Sequence, residues 1–321
     1  RESWAYGAGG SLSQVQVLMN RDPNCDPLDA GFWEDAWADV LESSPIHASQ
    51  RARPEDWVRF YDEVSPIWLE MLGEGREVGR RVAEHLLREG LVLPRGAVLE
   101  VGCGPGALAL ALAERGVNVT AVDTSRGMIA CLEKESKRRG MERVRSHCLR
   151  WEDLEPSPAH DLVTAAFFPQ AMSPGGIRRL EAFSRGACAL VVGTGEESLP
   201  FRRLLWDRLA PGPPPRPGLH LACAVNYLLA SGRKPCLKHI EWPFRFDVWE
   251  KTVRRYYRAY FALFGNAPAS VDKAMTDALN PFLEARRIQA TGRHSIAVVW
   301  WRPPVRIRRA DLHAPSRRPN Q

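Results

Sequence analysis

The residues best placed to do chemistry lie in one short stretch, Val98-Leu99-Glu100-Val101-Gly102-Cys103-Gly104-Pro105-Gly106. An apolar run that ends in glycines and passes into an Ala/Leu-rich segment reads as strand, tight loop and helix. Glycines in such a loop let the backbone approach a ligand closely. Ligands of open parallel sheets sit beyond the carboxyl ends of the strands, where this loop falls. Three ligand classes compete for it. A phosphate-binding loop needs Gly-Lys-Ser/Thr, which is absent. The dinucleotide fingerprint GxGxxG has Ala107 at its last position, which the pattern tolerates, but Glu100 repels a pyrophosphate and suits a cation. A second acid, Asp123, ends the next apolar run, Thr120-Ala121-Val122-Asp123. A carboxylate there can accept both ribose hydroxyls of an adenosine. The ligand implied has an adenosine, a positive charge and no phosphate; S-adenosylmethionine meets all three conditions.

From about Gly96 to Lys134 the chain resembles the class I S-adenosylmethionine-dependent methyltransferases, through Glu-x-Gly-x-Gly-x-Gly at 100–106 and Asp-x-Ser-x-x-Met at 123–128. The resemblance covers roughly 96–193 and, more loosely, 236–301 as the closing antiparallel strands. It implies that Gly102, Cys103 and Gly104 line the methionine moiety, that Asp123 holds the ribose, and that Thr124 and Met128 lie beside the adenine. Glu100, Gly106, Ser125 and Phe167 complete the expected cofactor set. The third family motif departs from pattern. Many relatives carry Gly-Asp-Ala before an acidic pair and leucine, whereas Leu149-Arg150-Trp151-Glu152-Asp153-Leu154 puts Arg150 at the aspartate's place. Either Glu152 or Asp153 takes over, or Trp151 packs on the adenine.

For the acceptor, the nucleophile must be held within about 3–3.5 Å of the sulfonium methyl and be able to lose a proton. The stretch Phe167-Phe168-Pro169-Gln170 follows the fourth strand candidate. It lacks the Asn/Asp that opens the corresponding Pro-Pro motif of amino-group methyltransferases acting on adenine or cytosine, which argues against that chemistry. Phe168 and Gln170 are candidate acceptor contacts. Glu196, in Gly193-Thr194-Gly195-Glu196-Glu197, is a candidate base. His239 and Glu241 lie two apart on one strand and so share a face, a candidate acid–base pair. Tyr61, in a Trp/Phe/Tyr-rich helix, either touches the ligands or packs. The aromatic helix around 248–264 offers Tyr256 and Tyr257, interleaved with Arg254, Arg255 and Arg258, as a wall for an aromatic or anionic acceptor.

The elements that position these residues follow from periodicity. Strand candidates at 98–101, 117–122, 144–149, 161–167, 187–192, 236–244 and 295–301 alternate with helical segments, which predicts a mainly parallel sheet covered on both faces. The fold class expected is a doubly wound three-layer α/β sandwich, seven-stranded with an antiparallel last strand, plus helical lid elements. The chain divides into an arm (1–28), a helical lid (29–90), the cofactor-binding core (91–245), a helical insertion (246–290), a closing strand (291–302) and a basic tail (303–321).

Composition narrows the function further. The 321 residues are 45% apolar and 26% charged, the balance of a folded globular chain. The net charge of +6 is misleading, because residues 302–321 hold six arginines against Asp311, leaving 38 basic and 37 acidic residues elsewhere. A nucleic-acid enzyme spreads its basic groups over a face of the fold. Seven scattered cysteines without a CxxC pair argue against a metal site or disulfide framework and fit a cytoplasmic protein. No apolar run is long enough to span a membrane, and 1–20 lacks a signal-peptide core. The expectation is an enzyme that transfers a methyl group from S-adenosylmethionine to a small molecule, leaving S-adenosylhomocysteine, with no metal and acting as monomer or homodimer. Two other readings stand beside it: a tRNA or rRNA methyltransferase tethered by the arginine tail, and a non-catalytic S-adenosylmethionine-binding protein.

Overall fold

The computed structural model describes residues 26–72, 75–195 and 198–304. Three helices lead: α1 (Ala30–Glu42), capped by Asp29, then α2 (Pro45–Ala52) and α3 (Pro54–Val64). The rest of the expected helical segment 29–90 is broken into a 3-10 turn at Ser65–Ile67, a single turn, α4 (Trp68–Met71), and α5 (Gly75–Arg88). Pro66 removes a backbone donor, so the chain cannot run on unbroken from α3.

The sheet comprises β1 (Ala97–Val101), β2 (Asn118–Asp123), β3 (Val144–Cys148), β4 (His160–Ala166), β5 (Ser184–Gly193), β6 (Cys236–Trp249), the two-residue β7 (Leu283–Glu284) and β8 (Arg287–Trp301). Its order is β3-β2-β1-β4-β5-β8-β6, with β7 paired to β8. The first five strands are mutually parallel, and β8 runs antiparallel to β5, β6 and β7. The mostly parallel doubly wound sheet is therefore present, the short β7 being an eighth strand. Between the strands run α6 (Ala107–Ala113), α7 (Arg126–Arg138), α8 (Pro174–Phe183), α9 (Pro200–Leu209), α10 (Pro217–Ala230), α11 (Glu250–Ala262) and α12 (Pro268–Leu279).

The strand alternation sorts side chains onto two faces. Val98, Val119, Ala121 and Ala189 pack with Val82 and Leu86 of α5 and the Ala/Leu run of α6. Leu99, Val101, Val163 and Leu190 face Trp37 of α1, Leu180 of α8 and Tyr227 of α10. Near-continuous burial along β1 and β5 is what a parallel strand covered on both sides requires. The chain winds outward from β1 to β3 and then returns to β4 on the other side of β1. The switch point between β1 and β4 thus opens a crevice at the strands' carboxyl ends.

The strand expected at 236–244 runs on to Trp249, and the one expected at 295–301 begins at Arg287. They stay paired from Cys236↔Trp300 to Trp249↔Arg287. Beyond the main sheet, Phe244, Phe246, Val248 and Ile288 bury against α9, α11 and α12 in a separate apolar cluster. Trp242, Phe244, Phe246 and Val248 keep the two-residue alternation of a strand, which the neighbouring helical pattern obscures.

Candidate active site

The loop after β1 turns on glycines with left-handed backbone. Gly102 has φ +66°, and a Cβ there would sit 2.3 Å from the ring of Phe168. Gly104, by contrast, has no atom within 4 Å of where a Cβ would lie, so its face opens on a cavity. The loop is fixed from the next strand. Asp123 accepts a hydrogen bond from the Gly104 amide at 2.8 Å through Oδ2 and from the Ser125 amide at 2.9 Å through Oδ1. Burial raises the Asp123 carboxyl, while the amides of Ser125, Gly104 and Thr124 hold it down.

Glu100, at the end of β1, is 2% exposed yet lines the same cavity. Desolvation pushes its carboxyl up to about 8; an amide bond from Ala109 opposes this and the Asp123 charge adds to it. Its Oε2 has no hydrogen-bond partner among the described residues. A buried carboxylate without a counter-charge is strongly disfavoured, so this oxygen is matched to a cationic group supplied by a ligand. Together with the open face at Gly104, that makes the residues present a fit for a cationic adenosyl ligand that carries no phosphate.

Cys103, Thr124, Met128 and Phe167 also line the cavity, whereas Gly106 and Ser125 do not. Those two hold the loop instead. A Cβ on Gly106 would meet Leu132 at 2.2 Å, and Ser125 Oγ accepts from the Met128 amide as N-cap of α7. Ser125 Oγ also donates at 2.6 Å to Asp62 on α3, which accepts from the Gly127 amide at 2.8 Å as well. Gly127 permits this contact, because a Cβ there would lie 2.5 Å from Ser65 Oγ. Asp62 was not among the sequence candidates, since its partners lie more than sixty residues away. Its neighbour Tyr61 does reach the cavity, its phenol pushed up by burial and by the nearness of Tyr256 and Asp123.

The third motif lies elsewhere. Trp151, Glu152 and Asp153 form a 3-10 turn outside the cavity lining. Arg179 donates to the carbonyls of Trp151, Glu152 and Leu154 at 2.7, 2.7 and 2.8 Å and covers the Trp151 ring. Glu152 and Asp153 face outward, and Trp151 packs edge-on to Phe168, the ring that roofs Gly102. Phe167 takes a left-handed backbone (φ +53°), which turns its half-exposed ring into the cavity mouth beside Phe168 and Gln170.

Across the cavity from the glycine loop, Tyr256 and Tyr257 line it together with Tyr260, the first stacked on the last at 6.0 Å. The interleaved arginines do not join them. Arg254 pairs with Glu250, Arg258 with Asp272, and Arg255 donates to the Glu63 carbonyl. Helical periodicity turns the two sets to different faces of α11. The arginines that do line the cavity are Arg202, Arg203, Arg216 and Arg293. They come from three segments, at 202–203, 216 and 293, and carry no local signal.

His239 and Glu241 are exposed and do not line the cavity, but they meet it through hydroxyls. His239 Nε2 lies 2.9 Å from Thr194 Oγ1 and 2.8 Å from Ser295 Oγ; Ser295 donates to Glu241 at 3.0 Å. Thr194 and Ser295 both line the cavity and are 2.6 Å apart. Glu196 lies outside the described residues, as do most of the 1–28 arm and the 303–321 tail. Among the described residues there is no group of three or more side chains able to hold a metal ion, and no helix is long and apolar enough to cross a membrane.

Residues 98–185 match the family described as "Methyltransferase domain". An uncharacterized protein of Haemophilus influenzae is 36% identical over 84 residues, 26% of this chain and 31% of its own length. The cypemycin N-terminal methyltransferase of a Streptomyces species is 36% identical over 110 residues, 34% of this chain and 40% of its own length. The chain thus spans about a third of the length of the curated relatives it matches. Among solved structures, the YcgJ protein of Bacillus subtilis is similar with a TM-score of 0.45 at 17% identity, over 69% of this chain and 98% of that one.

Proposed function

We propose that this protein is a methyltransferase that moves a methyl group from S-adenosylmethionine to a small-molecule acceptor. One observation carries the reading. A single cavity of about 1010 Å³ joins the glycine loop, Glu100 and Asp123 to an aromatic wall from α11 and to the tip of α3. That volume is at the upper end of small-molecule sites, which run to roughly 1,000 Å³, and leaves room for a second ligand beside the cofactor. Helices α3 and α4 and the α11 helix of the 246–290 insertion border the cavity and serve as lids that exclude water and favour a small acceptor over a polymer.

In this reading Glu100 and the loop at Gly102, Cys103 and Gly104 hold the methionine end. Asp123 takes the ribose hydroxyls, and Thr124 and Met128 flank the adenine. Bound there, the cofactor supplies a sulfonium methyl for in-line displacement. Thr194 and Ser295 stand where a proton leaving the acceptor can be taken up and passed to His239, which opens to solvent, while Glu241 orients the Ser295 hydroxyl. The direct test follows a labelled methyl group from S-adenosylmethionine into cell extract separated into small molecules, RNA and protein. Label in the small-molecule fraction, lost with Asp123→Ala, supports the reading. Label in RNA, abolished by ribonuclease, overturns it in favour of an RNA substrate. Cofactor binding with no transfer leaves a binding protein.

A further inference from the structure

We infer that the acceptor carries an oxyanion, a carboxylate or a phosphate, on an aromatic body. The inference rests on the methyltransferase reading and deepens it. Charge in the cavity is segregated. The acids that line it among the described residues, Glu100 and Asp123, both sit at the cofactor end, on β1 and β2. The arginines that line it come from three other segments: Arg202 and Arg203 on α9, Arg216 just before α10, and Arg293 on β8. Arg202 is anchored, donating to the Met71 carbonyl and lying 5.6 Å over Phe246.

The other three point to an exchangeable anion. The carbonyl of Arg216 accepts from the Leu219 amide at 3.0 Å, but its guanidinium makes no hydrogen bond or ion pair among the described residues. Arg203 pairs with Asp207 at 2.9 Å and Arg293 with Glu241 at 3.6 Å, both with side chains about half exposed or more. Exposed pairs of this kind add little stability and yield readily to a better-placed anion. A guanidinium fork matches a carboxylate or phosphate in two-point contact, which an ammonium cannot do. Trp206, Phe244, Tyr257 and Tyr260 line the same region and would face the flat body of the ligand.

The test measures binding by isothermal titration to the full chain saturated with S-adenosylhomocysteine. The probes share one ring system: 2-naphthoate, 2-naphthyl phosphate, 2-naphthamide and 2-naphthylmethylamine. One of the two anions should bind at least tenfold more tightly than the amide, and which one it is assigns carboxylate or phosphate. Arg203→Gln, Arg216→Gln and Arg293→Gln should each shrink that preference several-fold, and added salt should shrink it further. S-adenosylhomocysteine affinity should stay unchanged throughout. Binding of the amide or amine as tight as both anions, or no binding by any probe, overturns the inference. Failure of the wild-type protein to bind S-adenosylhomocysteine would instead remove the methyltransferase reading beneath it.

Discussion

The two ends of the cavity are built in opposite ways. At the end proposed for the cofactor, the lining that carries the proposal comes from two short stretches, 100–104 and 123–128, and its geometry is set by backbone: left-handed glycines, an amide-bound Asp123 and the Ser125 cap. At the end proposed for the acceptor, the lining comes from positions 61, 194, 206, 216, 256 and 293, and its geometry is set by side chains on six separate segments. A common cofactor demands one shape that local backbone can encode. An acceptor pocket is shaped by whichever helices and loops the fold brings over the sheet, so it can vary while the cofactor end stays fixed.

That contrast can be broken most severely at Glu100. The ligand-free carboxyl titrates near 8, so below that pH a cationic ligand must displace a proton to bind the ionised form. Affinity for S-adenosylmethionine should fall by up to about tenfold per unit as pH drops below 8 and level off above it. Glu100→Gln should lose about 100-fold in affinity and flatten the profile. Calorimetry in buffers of different ionisation enthalpy counts the proton released; an unchanged profile in the variant would remove Glu100 from cation binding. The same raised value has a folding consequence. The stability that the neutral carboxyl contributes to the ligand-free fold is complete below about 4.5 and is lost as pH rises through about 8.

The junction of the two ends is sharpened at Asp62, which ties α3 to the start of α7 beside the cofactor loop. Asp62→Ala removes two charge-assisted bonds, each worth about 1.5–3 kcal/mol at most. It should weaken S-adenosylhomocysteine binding about tenfold and expose α3 amides to hydrogen exchange. Exchange that stays slow would show that apolar packing alone holds the helix. The smallest effect belongs to the acceptor end, where water can replace a solvent-open group. His239→Gln should lower kcat a few-fold, leave cofactor affinity untouched and be partly rescued by added imidazole. A change in cofactor affinity, or no imidazole rescue, would make the histidine structural.

How far the sequence carried each part follows from range. The glycine loop, Asp123 and the sheet were legible because strand alternation, turn glycines and a strand-end acid are local patterns. The strand from Trp242 to Trp249 was legible only in part, since its alternation runs directly into the aromatic pattern of α11. Arg150 marked a departure from the family motif it was compared with. The outcome, with Trp151 packed edge-on to Phe168 and its turn pinned by Arg179, required contacts to Phe168 and Arg179 that no local signal announces.

By itself the sequence determined a doubly wound sheet, a glycine loop after its first strand and the two strand-end acids beside that loop, because each depends on neighbours in the chain. Tertiary structure alone decided which arginines line the cavity, that Asp62 binds α3 to α7, and that among the described residues His239 meets the cavity through Thr194 and Ser295. Those contacts join residues 45 to 65 positions apart or more, and sheet order and helix packing, not spacing in sequence, bring them together.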